Sequence, residues 1–165
     1  MQEKELLTPG AAERPNRLTP AVHAITLLLL TASFISGVLI WRGVHLQETR
    51  AETPTWLRAC VVLHGALNPF LCALFGYFLC EHIRIGWRLR ANRVSGFFME
   101  VCFAALILTG IGLYYSGGES FRTFCVTAHR VLGLAMPICL AAHWIAGQRW
   151  AKAQERRMDK SMPRC

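Results

Sequence analysis

A chain of 165 residues with 53% hydrophobic residues, 17% charged residues and a formal net charge of +8 is too apolar for an ordinary soluble fold and short enough for a single domain. The basic excess does not mark a nucleic-acid binder, because the Lys and Arg residues flank apolar runs and build no separate basic domain. Seven cysteines without one CxxC or CxxCH spacing give no support to a zinc ribbon or a c-type haem.

Residues 1–20 are polar, with Pro9, Gly10, Pro15 and Pro20, and form a lead-in. Four apolar runs follow. Ala21–Trp41 and Ala59–Cys80 carry no formal charge, Val94–Gly118 is interrupted only by Glu100, and Val131–Gln148 is extended upstream by Thr123–His129. Each reaches the roughly 20 residues that a helix needs to cross a bilayer. The first run lacks a small-residue cleavage site, so it predicts a retained helix and not a signal peptide. The expectation is an all-α integral membrane protein, a four-helix up-down bundle over residues 21–150, closed by a charged tail over 151–165. Thirteen Lys and Arg residues fall in the N-terminal segment, the loop between helices two and three, and the tail; five fall on the other side. The positive-inside rule then puts both termini in the cytoplasm, where that face also suits anionic lipid headgroups.

Pro20 suits the first turn of helix one, which carries His23 and a small-residue face of Ser33, Ser36 and Gly37. A polar loop from Arg42 to Arg58 contains His45, read as a loop residue. Helix two carries His64 and His82, with Asn68-Pro69 as a kink between them. A basic loop leads to helix three, which ends in TGIGLYYSGG, and helix four ends at HWIAGQRW. Tyr114-Tyr115 and the tryptophans near the span ends read as an aromatic belt.

Within helix four, His129 and His143 stand fourteen residues apart in an otherwise nearly apolar run. That is close to four turns, so both imidazoles project from one face, about 21 Å apart along the axis. Ionisable side chains inside a span are costly and mark function more often than packing. Two on one face point to two stacked sites that need neutral imidazole, and haem iron is the commonest such site in a helix bundle. An internal repeat supports this. Ser36-Gly37 through Trp41 matches Thr109-Gly110 through Tyr114, and His82-x3-Gly86-x-Arg88 matches His143-x3-Gly147-x-Arg149. Two similar hairpins put His64 and His129 at one depth and leave His143 at the other, with either His23 or His82 as its partner. His64 to His82 is eighteen residues, about 27 Å of rise, so His82 overshoots by about a turn unless a bulge at Asn68-Pro69 absorbs residues. His82 is also flanked by Glu81 and Arg84, so His23 is favoured.

Arg17-x5-His23-x13-Gly37, Leu63-His64, Thr109-Gly110 and His129-x3-Gly133-x9-His143 together resemble the dihaem cytochrome b subunits of membrane-bound formate dehydrogenases and nickel–iron hydrogenases, with related stand-alone bacterial b-type cytochromes. The resemblance covers about residues 17–152. It implies two haem b groups held by His23–His143 and His64–His129, a bacterial inner-membrane location, a periplasmic oxidoreductase subunit or cytochrome as redox partner, and exchange with quinone. It also implies a quinone contact for Asn92. Ala24, the short loop between helices two and three, and the echo at His82 depart from the family pattern and keep His82 as the alternative ligand. Glu100 reads as a salt-bridge partner of Arg93 or as a proton relay, and Arg58, Arg122 and Arg130 as partners of haem propionates or interfacial residues. Cys72, Cys80, Cys102 and Cys139 read as small apolar packers, and a Cys60–Cys125 disulfide has no support.

Three functions fit these residues. The first is a dihaem electron carrier that anchors an oxidoreductase. The second is a stand-alone quinone-linked oxidase or reductase of the same fold. The third is a haem-free four-helix assembly protein.

Overall fold

The computed structural model describes residues 18–88 and 92–161, so most of the polar lead-in, Arg17 included, lies outside the described residues. Those residues form helices and no strand: α1 Pro20–Arg50, α2 Leu57–Phe78, a π-turn Leu79–Ile83, the short α3 Arg84–Arg88, α4 Arg93–Tyr115 and α5 Glu119–Ser161. Four helical stretches are long and apolar enough to cross a membrane. Large apolar side chains cover the outside, with Val94 74% and Ile138 73% exposed. Water would reject such an exterior and hydrocarbon would accept it, as in a multi-pass membrane protein.

Local chemistry sets the ends. Thr19 caps α1, its hydroxyl accepting from the Val22 amide at 3.3 Å, and Pro20 fills the first turn, where a missing N–H costs nothing. The expected loop from Arg42 is instead helix as far as Arg50. The reason is packing. Gly43 is buried with no room beside it, since a Cβ there would sit 2.7 Å from Leu57 Cδ1 and 3.1 Å from the Trp56 ring. Ala51 then closes α1 in the left-handed region, its amide bonded to the Gln47 carbonyl at 3.1 Å. α5 begins at Glu119, whose carboxylate suits the positive end of a helix. It continues through Ser161, so the start of the charged tail is helical. Pro69 and Pro137 both lie inside helices that run on through them.

α1 packs along α2, and α4 along α5. In the first hairpin Ser36 meets His64 while Gly43 meets Leu57; in the second, Ser95 meets His143 while Thr109 meets His129. Residue numbers rise in opposite directions within each pair. The hairpins join through a core of Cys102, Phe103 and Met136, with Leu30, Leu71 and Phe75 packed on it. Phe75 and Phe103 stack with ring centres 5.0 Å apart and planes 6° apart. Met136 lies seven residues from His129 and seven from His143, so this core sits midway between the two histidine levels.

Candidate functional site

Two pairs of imidazoles face each other across the hairpins, one on each side of that core. His64 of α2 and His129 of α5 have ring centres 6.1 Å apart with planes crossing at 82°. His82 of the π-turn and His143 of α5 also stand 6.1 Å apart, with planes crossing at 79°. All four rings thus come from α2 with its π-turn and from α5, while α1 and α4 supply the walls behind His64, His129 and His143.

Those walls repeat one device, a hydroxyl residue followed by glycine. Ser36 Oγ lies 3.0 Å from His64 Nδ1, and the Gly37 Cβ position lies 3.3 Å from His64 Cε1. Thr109 Oγ1 lies 3.0 Å from His129 Nδ1, with the Gly110 position 3.5 Å from Cε1. Ser95 Oγ lies 3.1 Å from His143 Nδ1, with the Gly96 position 3.7 Å from Cε1. In each case the hydroxyl takes Nδ1, and at Gly37 the absence of a side chain lets the Cε1 edge lie closer than ordinary contact with a Cβ would allow.

The partners of those hydroxyls decide which ring nitrogen carries the proton. Thr109 donates its own hydrogen to the Ala105 carbonyl at 2.7 Å, so its oxygen accepts from His129 Nδ1–H. Ser95 donates to Asn92 Oδ1 at 2.6 Å, so its oxygen accepts from His143 Nδ1–H. Ser36 donates to the Ser33 carbonyl at 3.0 Å, and that same carbonyl lies 3.0 Å from His64 Nδ1. A carbonyl only accepts, so His64 also carries its hydrogen on Nδ1. All three rings are thereby set with an Nε2 lone pair, the form in which imidazole binds a metal while its other nitrogen is held by an outer partner. In the sequence Ser36-Gly37 and Thr109-Gly110 stand out as a repeat with no role evident for their hydroxyls, and Ser95-Gly96 lies outside that repeat. A signal was available. Ser95 and Thr109 stand fourteen residues apart, the interval between His129 and His143.

The ring against His143 is that of His82 and not the expected His23, which lies exposed in the first turn of α1. The physical reason is the π-turn at Leu79–Ile83. A wide turn of this kind holds about one residue more than an α-turn, so it takes up part of the surplus that counted against His82. The bulge forms there and not at Asn68-Pro69, which stays within regular α2. His45 is exposed on the extension of α1.

Asn92 lines a recess with His82, Gly86, Trp87, Arg93 and His143. Its amide is already engaged, Nδ2 donating to the His143 carbonyl at 3.1 Å and Oδ1 accepting from Ser95. Arg93 donates to the Trp87 carbonyl at 2.6 Å and lies 5.4 Å from the centre of that indole, while Glu100 is half-buried within α4. Arg58, Arg122 and Arg130 are exposed. Cys60 and Cys125 are free thiols.

Among the described residues no three His, Cys, Asp or Glu side chains converge on one point as a metal cage requires. The histidines come in twos. A metal–imidazole bond is about 2.0–2.1 Å long, so two imidazoles on opposite sides of one ion have centres roughly 6 Å apart. Two nitrogen donors per site would suit an iron whose other positions are filled by a planar macrocycle, so the donor set fits haem. Comparison with family models, curated proteins and solved structures finds no match for this chain.

Proposed function

We propose that the chain is a dihaem b-type cytochrome, an up-down bundle with both termini cytoplasmic, in a bacterial inner membrane. His64 and His129 hold one haem b, and His82 and His143 hold the other. The observation that carries this reading is the two facing imidazole pairs, 6.1 Å apart in each, with Nδ1 of His64, His129 and His143 held by hydroxyls. A haem held by either histidine pair would supply a one-electron centre. The protein's part is to hold and orient. Ser36, Thr109 and Ser95 fix the tautomers, Gly37 lets the His64 ring sit close, and the Phe75–Phe103 stack keeps the space between the two levels packed.

Two centres at two depths serve electron passage across the membrane. In this reading the His64–His129 site serves a periplasmic oxidoreductase subunit or cytochrome. The His82–His143 site exchanges electrons with quinone near the cytoplasmic face, beside the recess at Trp87 and Arg93. The family resemblance of the histidine pattern and the concentration of Lys and Arg around the termini support that polarity. A reduced-minus-oxidised spectrum of the purified protein tests the reading. A b-type α-band is expected, and its absence would leave a haem-free helical protein.

A further inference from the structure

Asn92 closes a ring of hydrogen bonds that no other histidine shares. Its Nδ2 donates to the His143 carbonyl at 3.1 Å, its Oδ1 accepts from Ser95 at 2.6 Å, and Ser95 Oγ accepts from His143 Nδ1. The relays behind His64 and His129 instead end on carbonyls of their own wall helices, at Ser33 and Ala105. Asn92 caps the start of α4 with φ 48°, a left-handed backbone that Asn tolerates better than most residues with a side chain. Gly147, one turn beyond His143, lies beside the amide, its Cβ position at a contact distance of 3.6 Å from Nδ2.

We propose that Asn92, acting through Ser95, is a positioning residue that fixes the ring and the electron donation of His143. This rests on the dihaem reading, and it is separate from the quinone contact expected of Asn92, for which a second Nδ2 hydrogen remains. The physical steps are short. Donation from Ser95 to Asn92 makes the serine oxygen a stronger acceptor. A stronger acceptor at Nδ1 makes the imidazole a better donor at Nε2, which favours the ferric over the ferrous ion. One site is therefore tuned by the amino end of α4, and the other is not.

The test uses the full chain in detergent, with haem counted per chain and both midpoint potentials titrated. Asn92→Gly keeps the left-handed backbone and removes the amide; Ser95→Ala removes the acceptor; Ser95→Thr restores a hydroxyl of the kind used at position 109. Asn92→Gly and Ser95→Ala are expected to raise one midpoint and leave the other where it was, and Ser95→Thr to return the raised one towards wild type. If Asn92→Gly does not accumulate, Asn92→Asp keeps an oxygen for Ser95 and should show a smaller shift than Ser95→Ala. Two haems with unmoved midpoints in Asn92→Gly and Ser95→Ala, or two midpoints that move together, would overturn the proposal while leaving the dihaem reading intact. A wild-type protein without haem would instead remove the reading on which it rests.

Discussion

The His82 imidazole meets that of His143 with ring centres 6.1 Å apart, the separation that His64 keeps from His129. One of these pairs lies on regular helix and the other uses a π-turn, yet both arrive at the spacing that two axial ligands of one metal ion need. The first prediction follows from this. His82→Ala should lower haem from two per chain to one, while exposed His23→Ala leaves two. The reverse outcome would restore His23 as the ligand.

Hydroxyls behind the rings should matter in proportion to what else holds Nδ1. His129 has Thr109 at 3.0 Å with the Leu106 backbone nearby, whereas His64 has both Ser36 and the Ser33 carbonyl at 3.0 Å. Loss of an outer partner typically costs about 10–100-fold in metal affinity. Thr109→Val, nearly the same shape without the hydroxyl, should weaken haem retention by about that factor. Ser36→Ala should do less. Haem-transfer rates from the two variants rank them, and equal rates would contradict the role given to the Ser33 carbonyl.

Gly37 is expected to be intolerant of bulk. Its Cβ position already lies 3.3 Å from His64 Cε1, so Gly37→Ala demands a small shift of the ring and Gly37→Val a larger one. Haem at the His64–His129 site should fall in that order, with the second haem kept. A valine variant with two normal haems would show that the ring is free to move.

Packing between the two levels makes a separate prediction. Phe103 is buried in the core, stacked on Phe75. Phe103→Ala should cost about 3–5 kcal/mol through the lost contacts and the cavity. The thermal midpoint in detergent should fall while the haem count per chain stays at two at low temperature. Loss of haem without loss of stability would mean that the stack serves the sites and not the fold.

Several of these features can be read in the residue order, and the reasons differ from one to the next. Apolar runs of span length announce the four helices long and apolar enough to cross a membrane, since in hydrocarbon a backbone must satisfy its own polar groups. Histidines inside those runs announce themselves by their cost. The helical extension of α1 to Arg50 was hidden because its residues are polar, and only the fit of Trp56 and Leu57 over Gly43 explains it. The placement of His82 is hidden because nothing in the residues Leu79–Ile83 announces the π-turn that they form. Ser95, Ser36 and Thr109 were hard to single out because serine and threonine in helices often bond only to the preceding turn. Thr26, bonded to the Val22 carbonyl at 2.7 Å, does only that. A spacing shared with the histidines separates the hydroxyls that meet imidazoles in the second hairpin from such residues.

The count of haem per chain, in wild type and after removal of one ring from each pair, tests the account most directly. Two per chain are expected in the wild type, one in His129→Ala, one in His143→Ala and none in the double variant. A wild-type protein with a single haem, or single variants that each lose both, would contradict two independent histidine pairs.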